Sequence, residues 1–155
     1  MISRKADSPT DISHLENRKF PSTSAVVNYR LPGGGGFMWA VATSPDRSQD
    51  IRVQTRGVLE LLDSYLRDAG LDRTRIVKAE VVVTNHDNKA AFDEVWASWM
   101  PRGSGPVRSF VESRMPEGDL VEVVITAALS TTIRRTTIFS QSSEDGAQIG
   151  PVPAV

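Results

Sequence analysis

The chain has no cysteine, which removes disulfides, thiolate nucleophiles and cysteine-ligated metals together. Its two histidines, His14 and His86, are far apart and lack ligand spacing, so no metal is expected, nor any other cofactor. An excess of either charge is missing too. The 18 Lys and Arg against 19 Asp and Glu leave a net charge of −1, with no basic stripe for nucleic acid and no polybasic membrane patch. Long apolar runs are also absent. The opening MISRKADSPTDISHLENRKF lacks the apolar centre of a signal peptide, and no later run approaches the length of a membrane span. Together these absences point to a soluble, cytoplasmic protein without a nucleic-acid or membrane partner. A length of 155 residues suits one domain with a proper core.

What is present reads as alternating strands and helices. Residues 1–19 are polar and read as a flexible arm, with Phe20-Pro21 marking the start of a domain over 20–130. Ser24–Leu31 and Phe37–Thr43 are β-leaning runs around Pro32 and the glycines Gly33 to Gly36, which predicts a hairpin. A phosphate loop would need a following helix with its Lys and Ser/Thr; a strand-like run follows instead, so the glycines read as a flexible tip. Val58, Leu62, Tyr65 and Ala69, widened by Leu59 and Leu66, form the stripe of a long helix that Gly70 stops. Ile76–Thr84 is a strand. Asn85–Asn88 supplies turn and cap residues for a second helix, with Phe92, Val95, Trp96 and Trp99 on its buried side. Trp39, Trp96 and Trp99 read as packing residues.

Gly105–Ala128 is the organising stretch. Two alternating runs flank Met115–Asp119, a turn signal of Pro and Gly. In the second run Val121, Val123, Ile125 and Ala127 take one face, and Glu122, Val124, Thr126 and Ala128 the other. The predicted order is β-β-α-β-α-β-β, an α+β fold with both helices on one face of a single sheet. Lys78, Glu80 and Glu122 make the opposite face too charged for a closed core, while its Val and Ala make it too apolar for water. A subunit interface with polar clefts reconciles the two. Residues 131–155 read as an extension that docks early and is loose after about Ser142.

Two ionisable residues in strands need a reason. Arg108 offers a planar fork that matches a carboxylate, or a structural ion pair with Glu122 or Glu112. Glu122 could activate a water, or serve as an interfacial ion-pair partner.

The run Pro106-x-Arg108-Ser109, then Met115-Pro116-Glu117-Gly118, then Val121-Glu122-Val123 resembles the C-terminal signature of the RidA/YjgF family of reactive-intermediate deaminases. The likeness continues upstream through Gln54-Thr55, Val58-Leu59, Leu66–Leu71, Val77-Lys78 and Phe92–Trp96, and covers about residues 24–129. It implies a chorismate-mutase-like homotrimer with active sites in clefts between subunits. It also implies that Arg108 grips a substrate carboxylate, that Glu122 serves the attacking water, and that backbone near Val107 and Ser109 orients the nitrogen. Several family positions differ. The usual Ser-Gly aligns with Ala40-Val41, the Asn of the second helix with Asp93, the Cys after the Arg with Phe110, and the Tyr near the first strand with Tyr29. The function implied is hydrolysis of a carboxylate-bearing imine or enamine to a keto acid and ammonia. The changed walls suit an aminomuconate-like or other larger substrate. A non-catalytic trimer that binds a carboxylate metabolite is the alternative. Family members have also been linked to ribonuclease activity, which a net charge of −1 disfavours.

Overall fold

A computed structural model of the chain describes residues 11–131. Strands β1 (Ile12–Glu16), β2 (Ser24–Arg30) and β3 (Gly36–Thr43) lead into helix α1 (Ile51–Asp68). Strand β4 (Ile76–Val83), helix α2 (Lys89–Trp99), β5 (Val107–Glu112) and β6 (Val121–Ala128) complete the order. The strands form a single six-stranded sheet, β1-β2-β3-β6-β4-β5. All neighbours are antiparallel except β4 and β5, which run parallel and are joined through α2.

Period-two alternation decides what each strand buries. Val121, Val123, Ile125 and Ala127 pack with Ala79, Val81 and Val83 of β4 and with Met38, Ala40 and Ala42 of β3. Val58, Leu59, Leu62 and Leu66 of α1 and Phe92, Val95 and Trp96 of α2 cover that face. Asp50 caps α1 by accepting a hydrogen bond from Val53 N at 3.0 Å, and Gly70, at φ +74°, ends it. The expected α+β plan with both helices on one face is what the structure has.

Two expectations are corrected. The sheet has one strand more than predicted, because Ile12–Glu16, inside the supposed flexible arm, pairs with β2 as an edge strand. All five of its residues are exposed, so backbone hydrogen bonds hold it rather than burial, and its sequence carries little apolar alternation. Residues 1–10 lie outside the described residues. The glycine tip closes the expected β2–β3 hairpin, with Leu31 N donating to Gly35 O at 3.0 Å and Gly34 N to Leu31 O at 3.1 Å. Gly36, at φ +134°, could not carry a side chain, since a Cβ there would stand 1.9 Å from Tyr29 O. Finally, Trp39 is not a core residue. It lies on the uncovered sheet face beside Phe37, both about two-fifths exposed.

No helix among the described residues is long and apolar enough to cross a membrane. Of the C-terminal extension only Thr131 is described, so its docking and its loose end lie outside the described residues.

Candidate active site

Arg108 sits on the edge strand β5, opposite Ala79 in the sheet register, and therefore points to the helix side. Its guanidinium lies over three rings, 5.3 Å from Trp96, 5.4 Å from Phe92 and 5.7 Å from Phe110. The side chain is 20% exposed, so one border of this cation still meets water. Nη2 donates to Oδ1 of Asp93 at 2.6 Å. The other Asp93 oxygen, Oδ2, accepts from Lys89 one turn earlier on α2. Burial works against ionisation of Asp93, but the hydrogen bonds and charges of Lys89 and Arg108 outweigh it and hold the carboxyl below its usual range. Lys89 Nζ also stands 5.4 Å from the Phe110 ring, and His86 meets that ring edge-on at 5.3 Å.

The ion-pair partner of Arg108 is thus Asp93, neither of the two glutamates considered from the sequence. Glu112 shares the Arg108 side of β5 but accepts from His86 N at 2.7 Å, fastening the turn before α2. Glu122 is opposite Thr43 and Val82 on the uncovered face. The period of the strands puts it on the far side of the sheet from Arg108.

Glu122 is half-buried among the open-face residues of β3, β6 and β4. Burial pushes its carboxyl above the usual value, and the charge of nearby Asp119 adds to the push. Asp119 is itself buried, 3% exposed, and pairs with Arg47 Nε at 3.0 Å. The turn that carries it is held by Gln54, a fully buried amide on α1. Gln54 Nε2 donates to Gln49 O at 3.0 Å and Gly118 O at 2.9 Å, and Oε1 accepts from Leu120 N at 3.0 Å. A cavity of about 440 Å³ opens at the same end of β3, between the Glu16–Lys19 turn, Thr43 and the Leu61 and Tyr65 side chains of α1.

The structure therefore brings Arg108, Phe110 and Asp93 together and leaves the other sequence candidates elsewhere. Val107 and Ser109 alternate to the open face of β5, where Val107 is 76% exposed. Tyr29 is also on the open face, opposite Phe37, but three strands separate β2 from β5. Ala40 lies in the helix-side core, its side chain 3% exposed. Lys89, Asp119 and Gln54 were missed. Lys89 could have been found from its i, i+4 spacing to Asp93, and Gln54 from its place four residues before Val58 on an otherwise apolar stripe. Among the described residues no group of three or more His, Asp or Glu side chains is arranged to hold a metal ion.

The Glu122 carboxyl carries a pH prediction. It holds its proton more readily in the folded chain than in the unfolded one, so ionisation destabilises the fold. That cost is absent well below the ordinary value of 4.5, grows as pH rises, and is complete above the raised folded value. Glu122→Gln is expected to match wild type in acid and to exceed it at neutral pH. The gain stays below about 1 kcal/mol because the side chain is partly in water. Denaturant melts at two pH values check this.

The family model described as endoribonuclease L-PSP matches residues 37–129. A RutC family protein of Haemophilus ducreyi is 34% identical over 86 residues, 55% of this chain and 74% of that protein. Another, of Pyrococcus horikoshii, is 36% identical over 75 residues, 48% of this chain and 59% of that protein. An uncharacterized protein of Pseudomonas aeruginosa shares the fold with a TM-score of 0.67 and 26% identity, over 77% of this chain and 99% of that one. A Rid-family protein of Yersinia pestis gives a TM-score of 0.61 and 28% identity, over 75% and 98%.

Proposed function

We propose that this chain, which belongs to the RidA/YjgF family, is a cofactor-free deaminase that hydrolyses a carboxylate-bearing imine or enamine to a keto acid and ammonia. The observation that carries the reading is Arg108: a guanidinium backed by three rings and pinned at one nitrogen, with donors left over. Bound there by its carboxylate, the imine form presents an electrophilic carbon. Water adds to that carbon while Glu122 accepts a proton from the water, and the proton passes to the nitrogen. The resulting carbinolamine expels ammonia and leaves the carbonyl of the keto acid. A carboxyl raised by burial suits such a proton exchange better than an ordinary one.

Arg108 and Glu122 lie on opposite faces of one sheet, so a centre that uses both takes them from two copies of the chain. A homotrimer with centres in its clefts meets that requirement. The uncovered face supports it with Phe37, Trp39, Val107 and Val111, each at least 39% exposed. Phe110, edge-on to Phe92, which itself stacks on Trp96, makes the wall near Arg108 apolar and suits a larger, aminomuconate-like substrate.

The alternative, a trimer that binds a carboxylate without turnover, draws on Ala40, where the family's hydroxyl position holds a core methyl. One experiment separates them. An imine generated in situ from an amino acid is offered to the protein, and ammonia release is measured together with mass by light scattering. The deaminase reading expects a trimer, turnover, and a large fall in turnover with retained binding in Glu122→Gln. Binding without turnover selects the alternative, and a stable monomer at micromolar concentration overturns the shared cleft.

A further inference from the structure

We infer that Lys89 and Asp93 are positioning residues for Arg108: Asp93 fixes the guanidinium by one nitrogen, and Lys89 shares the Asp93 charge so that a two-donor edge of Arg108 stays open to an incoming carboxylate. The inference rests on the reading of Arg108 as the carboxylate clamp, and it gives Asp93 and Lys89 the roles that this reading leaves unassigned.

The geometry is specific. A guanidinium has two edges able to make paired hydrogen bonds, and each Nη carries two hydrogens. Asp93 engages Nη2 alone, through a single oxygen, in a one-bond contact rather than a fork. One complete edge is therefore left. The rings of Phe92, Trp96 and Phe110 around the cation restrict how it can turn.

An internal carboxylate beside a clamp is also a competitor. Left to itself, Asp93 could close onto Arg108 with both oxygens and occupy the place of the ligand. Lys89 prevents this by holding Oδ2 from the preceding helical turn. Two cations share one anion, so the cluster keeps a formal charge of +1 toward an approaching carboxylate. Lys89 and Asp93 are both on α2, and their i, i+4 spacing sets the arrangement before any ligand arrives.

The test uses the full-length chain and pyruvate, the simplest 2-keto acid, with dissociation constants from calorimetry and folding checked by melting. Lys89→Met releases Asp93 to Arg108 and is expected to weaken pyruvate binding about tenfold, the scale of one half-screened charge interaction. Adding Asp93→Asn to Lys89→Met removes the competing charge and should restore affinity to within about threefold of wild type, since such rescue requires a coupled pair. A merely structural role gives the opposite pattern, with the double variant no better than the single one. Wild-type affinity in Lys89→Met, or no rescue in the double variant, overturns the inference while loss of binding in Arg108→Ala leaves the clamp standing. Undiminished binding in Arg108→Ala removes the clamp and the inference with it.

Discussion

Arg108→Ala is expected to bind carboxylate ligands tens to thousands of times more weakly than wild type, and Arg108→Lys is expected not to rescue it. The substitution removes one partner of a charge-assisted pair that is largely shielded from water, a loss of about 2–5 kcal/mol in binding. Lysine keeps the charge, but its single ammonium cannot offer two parallel N–H donors to both oxygens of a carboxylate. Nor can it spread over Phe92, Trp96 and Phe110 as the planar guanidinium does. The fold should survive, because Asp93 keeps Lys89 as a partner when Arg108 is gone. Stacking of a largely shielded cation on a ring contributes about 2 kcal/mol, a loss expected to lower the melting temperature without abolishing the fold. Calorimetry with a small carboxylate and a thermal melt of each variant are sufficient measurements. An alanine variant that bound as tightly as wild type would end the assignment of this site.

The largest effect on stability is expected at Gln54. Gln54→Leu keeps the volume and deletes every hydrogen bond the side chain makes. Leu120 N–H loses its acceptor, and the Gln49 and Gly118 carbonyls lose a donor. Gln54 is fully buried, so water cannot simply replace it there. At about 1–3 kcal/mol for each buried group left unpaired, the loss should reach about 3–5 kcal/mol once partial relaxation is allowed. For a chain of this size that lowers the melting temperature by on the order of 10 °C. If the chain is the proposed deaminase, turnover should fall with it, because the loosened turn carries Asp119 and leads directly into Glu122. Gly118 makes the turn hard to rebuild: it sits at φ +87°, with Arg47 Cβ only 2.9 Å from where its own Cβ would stand. Denaturant unfolding followed by circular dichroism measures the loss. A variant within about 0.5 kcal/mol of wild type, the scatter of ordinary surface changes, would show that Gln54 does not pin this turn.

The sequence by itself determined the elements that bury a periodic apolar face. The alternation at Val121, Val123, Ile125 and Ala127 and the stripe at Val58, Leu62 and Leu66 each fit one period, and burial of apolar area rewards only that period. It also marked Arg108 and Glu122, because an ionisable group in a strand has to have a partner. It was silent on β1, whose five exposed residues are held by backbone pairing that any sequence can make. Apart from Lys89 and Asp93, four apart on one helix, which partners the charged groups have was decided by tertiary structure. Asp93 reaches Arg108 because α2 packs across β5, a relation between residues fifteen apart that no local period encodes. Gln54 reaches Gly118 and Leu120 across more than sixty residues for the same kind of reason. The separation of Arg108 and Glu122 onto opposite faces follows from strand register, which fixes the face of every side chain once two strands are paired. Register is set by long-range pairing and by the packing of the whole sheet, so it became visible only in the folded chain.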